Sequence, residues 1–330
     1  MLGAIYALIG LSLVMVFTVT RIFFVPQGEF VIFGALMFAF LQDNKIPSLV
    51  WLTPILGAVV IALEVIYSPR VTKLRSLAYW GIGCVVIPLG AILVLSMFAS
   101  ARADLMVQIV LTLLIIVPLG PLIYRLAFES VATNSVLLNL FVALAVHFCM
   151  LGLGLAAFGA EGWRGTVFIK SSLLLFEYEL AGQVILVLAT FVVLAIGLWH
   201  FFNKTMSGKA LRATAFNRNG AQLVGIKPHA VGRTAFALSA MMGVVSGILI
   251  VPLTTIYYDS GFIIILKGAI GAVFGAMASY PLTALGAIAS GVFESFVSFY
   301  ASSYKEALLF SVLIPLLMWR SFRQLGGGDD

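Results

Sequence analysis

Runs of about twenty apolar residues, broken by only short polar stretches, constrain this chain more than any other feature in it. A helix rises 1.5 Å per residue, so such a run crosses the roughly 30 Å hydrocarbon core of a bilayer. About eleven apolar segments can be read, with cores near 2–20, 28–41, 49–67, 79–99, 106–124, 135–157, 181–201, 230–252, 262–278, 282–300 and 306–319. Those at 28–41, 262–278 and 306–319 are short and are candidates for half-helices or re-entrant segments. The chain has 330 residues, 62% hydrophobic and only 10% charged, with a mean hydropathy of +1.14. A soluble domain carries roughly a quarter of its residues charged. The expected fold is an all-α, polytopic membrane bundle of about 8–11 segments, forming one domain over 1–330. Met1 to Thr20 holds no Lys or Arg and no small-residue cleavage pattern, so it is expected to remain as a first span rather than a removed signal. Cys84 and Cys149 both fall inside apolar runs and are expected as buried, reduced thiols.

The longest water-compatible stretch is the basic loop Lys204–Lys227, which carries Lys204, Lys209, Arg212, Arg218 and Lys227. No acidic residue occurs from Leu180 to Tyr258. Basic residues in short loops set topology, staying on the cytoplasmic side. With this loop inside, 13 basic residues are inside: Arg21, Arg70, Lys73, Arg75, Arg125, the five of the loop, Arg233, Arg320 and Arg323. Five lie outside, namely Lys45, Arg102, Arg164, Lys170 and Lys305, and Lys267 remains in a span. This orientation puts the C-terminus in the cytoplasm and the N-terminus outside. The net charge of +6 is spread over these loops and gives no footprint for nucleic acid; the lipid bilayer is the expected surrounding. The longest outer loop, Phe158 to Gln183, mixes Trp163, Phe168, Phe176 and Tyr178 with Glu161, Arg164, Lys170, Glu177 and Glu179. It is either partly an amphipathic surface segment or a plain connector.

Little in the chain could perform covalent chemistry. His147, His200 and His229 show no metal-ligand spacing, so no metal is expected. His147 sits in a span, where a helix-to-helix hydrogen bond is its expected role. Ser207-Gly208-Lys209-Ala210 lacks the upstream glycine and the following Ser or Thr of a phosphate-binding loop. Ionisable groups within spans are costly and therefore informative. Glu64 is near the inner end of its span and can reach the interface. Lys267 and Glu294 lie at similar depth on neighbouring segments, which makes an ion pair possible. Glu29 opens a half-helix at its positive end, where a carboxylate is favoured; it could line a pathway, with Gln27 beside it, or merely cap the helix.

Two stretches echo each other: Pro26-Gln27-Gly28-Glu29 and Ser260-Gly261-Phe262 each precede a short, Gly-containing apolar segment. In the topology above they run in opposite directions, as broken helices of inverted repeats do. In the basic loop, Gly208 to Thr214 can form a short helix, Asn219-Gly220 can interrupt it, and Ala221 to Val224 can form a second turn before Gly225. Such a helix suits a groove on another protein, and its charges equally suit the anionic inner leaflet.

Gly208-Lys-Ala-Leu-Arg-Ala-Thr-Ala-Phe-Asn-Arg-Asn-Gly-Ala-Gln-Leu-Val-Gly-Ile226 resembles the cytoplasmic coupling loop of branched-chain amino-acid ABC transporter permeases of the LivH/LivM type. Leu2 to Ile9, Gly28-Glu29, Gly261-Phe262, Lys267, Gly275, Ser279, Pro281, Gly286, Glu294, Tyr304 to Ala307 and Arg320 agree in order, so the resemblance covers 1–42 and about 106–325. Residues 43–105 read as an insertion with extra spans. Two departures stand out. Where the family has Asn-Phe-Ala-His-Gly-Glu, this chain has Phe24-Val25-Pro26-Gln27-Gly28-Glu29, and the family's Gly-Gly-x-Gly-Ser becomes Gly275-Ala276-Met277-Ala278-Ser279. The resemblance implies a permease of a bacterial inner membrane that catalyses no covalent step. It implies partnership with a second permease (a paralogue or itself), ATPase subunits that hold ATP and magnesium, and an extracytoplasmic solute-binding protein. It also implies that the loop, 202–229, seats Gly208, Lys209, Leu211, Arg212, Ala213, Asn217, Arg218, Ala221, Leu223 and Gly225 at or near the ATPase groove. ATP-driven closure of the ATPase pair would then push this loop and switch the pathway. Hydrophobic amino acids are the first expected cargo, urea or short amides the next. An ion-coupled carrier using Glu29, Lys267 and Glu294, or an assembly protein with no pathway, are the readings from other classes.

Overall fold

A computed structural model describes residues 1–67, 70–98, 104–132, 135–169, 171–175, 178–316 and 318. The chain opens with α1 (Leu2–Thr20) and α2 (Gln27–Gln42), followed by α3 (Leu52–Tyr67), α4 (Arg70–Gly81) and α5 (Ile87–Phe98), the last two joined by a π-helical turn at Ile82–Val86. Next come α6 (Leu105–Ile116), α7 (Leu119–Ile123) with a second π-helical turn at Tyr124–Phe128, and α8 (Val136–Phe158). After the hairpin β1 (Ser172–Leu175) and β2 (Tyr178–Ala181) follow α9 (Gly182–Lys204), α10 (Met206–Phe216), α11 (Arg218–Leu223) and α12 (Pro228–Ile250). The described chain closes with α13 (Gly261–Phe274), α14 (Tyr280–Tyr300) and α15 (Lys305–Ser311).

Among the described residues, eight helical stretches are long and apolar enough to cross a membrane, and α2 and α13 are shorter apolar helices. The molecule is a multi-pass helical membrane protein. Its centre is the group α1, α2 and α12, onto which α13 and α14 pack through α1. Small residues make this centre dense. A β-carbon placed on Gly34 of α2 would lie 2.7 Å from the Val244 Cα of α12, and one on Gly243 would lie 2.9 Å from the Phe30 Cβ. The periphery is looser. In α1, 83% of the spanning window is buried, whereas in α9 it is 6%.

Local chemistry fixes several helix ends. The Ser135 hydroxyl accepts the Leu138 amide at the start of α8, and Thr205 accepts the Gly208 amide at 3.0 Å to start α10. Pro228 and Pro281 occupy first-turn positions of α12 and α14, where a missing N–H costs nothing. The junction in the basic loop differs from expectation. Asn219-Gly220 lies inside α11, and the break falls on Asn217 alone. Asn217 has extended backbone and its side chain accepts the Gly220 amide at 2.9 Å, so it caps α11 rather than letting the helix run on.

One more expectation, that for Cys149, is corrected, and two are filled in. The long loop after α8 holds a two-stranded ladder pairing Ser172 with Ala181 and Leu175 with Tyr178, and an isolated bridge from Trp163 to Ile256, so the fold is all-α apart from this hairpin. Cys84 is buried, but Cys149 lies on an exposed face of α8; both are free. Glu64, read as near the inner end of its span, is buried and ion-paired with Arg125, 2.9 Å away. The expected sites at Arg102, Lys170, Phe176, Glu177, Arg320 and Arg323 fall outside the described residues.

Four of the basic residues counted as inside or outside can be placed. Lys45 stacks over Trp163 and Arg164 donates to the Pro252 carbonyl at one end of the bundle. Arg21 and Arg212 share a cavity at another, beside α10.

Candidate functional site

The two echoed segments meet. Gly28, in the first turn of α2, crosses Gly261 at the start of α13 so closely that a β-carbon on Gly28 would stand 2.6 Å from the Gly261 carbonyl carbon. This is one place where glycine is required by close backbone approach. The Glu29 carboxylate lies directly over this crossing, 0% exposed, and a β-carbon on Gly261 would come within 2.7 Å of its Oε1. His147 of α8 places Nδ1 3.0 Å from the same oxygen and its ring 5.7 Å from that of Phe262. Gln27 is equally buried; its Nε2 donates to the Ser239 carbonyl at 3.0 Å while the Ser239 hydroxyl donates to its Oε1 at 2.6 Å. The interior thus holds a carboxylate, an imidazole and an amide where two broken helices touch.

Lys267 and Glu294 form the ion pair that their depths allow, Nζ to Oε1 at 2.7 Å. Glu294 is 1% exposed, and Lys305 lies 3.3 Å from the same oxygen, so two ammonium groups share one carboxylate. The Lys267 ammonium also stands 5.8 Å from the centre of the Tyr6 ring. This cluster does not touch Glu29. The four interior residues singled out in the sequence therefore fall into two sites, Gln27 with Glu29 and Lys267 with Glu294.

In the basic loop, α10 and α11 form a short helical pair. Gly208, Leu211 and Ala221 are buried against the bundle, while Lys209, Arg212, Asn217, Leu223 and Gly225 are exposed and Ala213 is half-buried. Gly208 needs to be small because its Cα packs on the Phe201–Phe202 backbone, where a β-carbon would sit 2.7 Å from the Phe202 Cα. Gly225 has φ of 86°, a left-handed conformation that ends the pair. Phe216 and Leu223 are 94% and 89% exposed, an unusual state for large apolar side chains on a loop rich in charge.

Beneath the loop is a network that the sequence reading missed. Glu129 accepts from Arg233 at 2.7 Å and lies 3.4 Å from Arg125, and Arg125 also pairs with Glu64. Arg218 of α11 donates to the Ala132 carbonyl at 3.1 Å. The signal for it was present: Glu129 is an acid beside Arg125 at i,i+4 spacing, close to a loop otherwise free of acids. His147 and Glu29, by contrast, are lone polar groups in separate apolar spans, and nothing local in the sequence relates them. Among the described residues no group of three or more His, Cys, Asp or Glu could hold a metal ion.

Comparison with known proteins adds identity to this geometry. The profile of the family described as branched-chain amino acid transport system / permease component matches residues 1–318. The high-affinity branched-chain amino acid transport system permease protein BraD of Pseudomonas aeruginosa is 30% identical over 146 residues, which is 44% of this chain and 47% of that protein. The permease proteins LivH of Salmonella typhimurium and of Escherichia coli K12, named for the same kind of system, are each 30% identical over 138 residues, 41% of this chain and 44% of theirs. The chain spans about half the length of the curated relatives it matches. No solved structure matches it.

Proposed function

The chain belongs to the branched-chain amino acid transport permease family, and from that premise we propose that it is the membrane-spanning subunit of an ATP-driven importer for branched-chain or similar hydrophobic amino acids. It carries the pathway and receives work from partners. Those partners are ATPase subunits that hold ATP and magnesium, a second permease subunit and an extracytoplasmic solute-binding protein. The protein sits in a bacterial inner membrane with the basic loop and C-terminus in the cytoplasm and the N-terminus outside. The loop between α9 and α12 is the coupling element, and α2 and α13 are the broken helices of two inverted repeats.

The observation that carries the reading is the exposure of Phe216 and Leu223 on a loop whose own ends are fixed. Thr205 and Asn217 cap its two helices, and Arg218 fastens the second to the Ala132 carbonyl. An element that displays apolar side chains and is braced from behind is suited to take a push from a partner's groove and pass it to α12. The Glu129–Arg233 pair lies on that route.

The test is a Phe216→Asp, Leu223→Asp double variant. Uptake of leucine by reconstituted permease and ATPase falls at least about a hundredfold, the ATPase no longer copurifies, and the permease still inserts and elutes as a folded species. Uptake that persists without any ATPase and disappears when the ion gradient is collapsed overturns the proposal in favour of an ion-coupled carrier. Urea transport in place of leucine uptake would retain the mechanism and reassign the cargo.

A further inference from the structure

Two cavities on the basic-loop face share part of their lining and lie apart from the interior crossing; the second also reaches Phe216 at the edge of the loop's exposed side. One is a cleft of about 330 Å³ between α9 and the α1–α14 pair, walled by Leu11, Leu198, Trp199 and Ala284. The other, about 620 Å³, opens beside it under α10 and is lined by Thr18 and Arg21. Phe202, Arg212 and Tyr280 line both. The result is an apolar slot with two guanidinium groups at its mouth. No acidic residue lines either cavity, and among the described residues neither arginine pairs with a carboxylate. Arg212 donates to Asn203 Oδ1 at 2.9 Å, and Arg21 sits at the left-handed C-cap of α1 with φ of 59°. The hydroxyls of Thr18 and Tyr280, 3.4 Å apart, stand at the same mouth.

We propose that this slot binds an anionic phospholipid, with its phosphate at Arg21 and Arg212 and one acyl chain lying along Trp199 and Phe202. Each half of the site calls for a different part of the ligand. Two uncompensated guanidinium groups recognise a phosphate through charge and paired N–H donors. The slot itself is apolar, and α9, which forms one wall, is a membrane-length helix that is 6% buried, so the slot opens toward lipid tails. A free anion would satisfy the arginines and leave the slot unfilled. An acidic protein segment would meet the arginines and bring nothing suited to a slot within the hydrocarbon layer. An anionic amphiphile meets both demands, and its headgroup sits where basic residues flank a span. The site does not depend on the transport reading; it follows from charge and shape.

Trp199 makes the site observable. The full chain is placed in phosphatidylcholine vesicles doped with either phosphatidylglycerol or phosphatidylcholine carrying brominated acyl chains, and tryptophan fluorescence is recorded. Brominated phosphatidylglycerol quenches with a preference on the order of tenfold over brominated phosphatidylcholine. The preference disappears in the Trp199→Phe protein, which reports through the remaining tryptophans, and in the Arg21→Gln, Arg212→Gln double variant. Inorganic phosphate added to the same vesicles leaves the quenching unchanged. Equal quenching by the two lipids in the wild-type protein overturns the proposal whether or not the arginine variant folds. Displacement by inorganic phosphate overturns it in favour of a free-anion site. Protection of the two arginines from phenylglyoxal by added ATPase subunits, without any lipid preference, overturns it in favour of a partner's acidic segment.

Discussion

Helices α2 and α13 each carry a glycine in the first turn, cross where Gly28 meets Gly261, and each place one ionisable group in the interior, yet they house those groups in different ways. Glu29 is in the first turn of α2, where the helix dipole favours a negative charge, and the group facing it is an imidazole, that of His147, rather than a full counter-charge. Lys267 is six residues past Gly261, beyond the reach of either helix end, and is held by a full counter-charge in Glu294. Glu294 in turn serves Lys305. The difference teaches that a broken helix can host a buried carboxylate at its start with little further help. A lysine placed deeper needs a partner on another helix.

The crossing itself is the part of the comparison most easily broken. Gly28→Val forces a side chain into the Gly261 backbone, and the expected result is loss of the folded species in detergent, seen as aggregation on size-exclusion chromatography. A normally eluting variant would show that the two helix starts can separate. Next in size is the contrast between the charges. Glu294→Gln leaves two ammonium groups without their carboxylate and lowers stability by about 3–5 kcal/mol, measured by denaturant titration. Exchanging the pair, Lys267→Glu with Glu294→Lys, recovers much of the loss. Glu29→Gln keeps shape and a hydrogen-bonding group at the helix start and costs about 1–2 kcal/mol. Equal losses at the two sites would remove the distinction drawn here.

The smallest effect concerns the turn that ends α13. Ala276 and Met277 have φ of 65° and 54°, in the left-handed region that L side chains avoid. Ala276→Gly relieves that strain and raises the unfolding midpoint, by roughly 0.5–1 kcal/mol in stability after the added freedom of the unfolded chain is offset. A drop in stability would show that the Ala276 methyl group packs usefully.

Much of this architecture was legible because membrane spans are written in run length. Ten of the eleven apolar cores correspond to eight membrane-length helical stretches and two shorter apolar helices among the described residues, and the two breaks were announced by Pro26-Gln27-Gly28 and Ser260-Gly261. Lys267 and Glu294 could be paired by rise per residue, since they sit on consecutive elements. His147 could not be assigned to Glu29 in the same way, because 118 positions and several helices separate them and no local geometry relates them. Glu129 was missed for another reason. It lies at the margin of a span, where an acid costs little, and its one local signal, Arg125 at i,i+4 spacing, does not point to Arg233, which only the fold brings against it. The capping by Asn217 was misplaced by two residues because an Asn-Gly pair is the stronger turn signal in isolation.

The contacts of Gly34 with Val244 and of Gly243 with Phe30 set a mechanical limit. Helices packed this closely through small residues leave little soft layer along which to shear. The α1–α2–α12 unit therefore behaves as a stiff lever. A displacement applied at Lys227, just before α12 begins, would then be expected to reach Ile250 as tilt of the packed helices rather than as slippage between them.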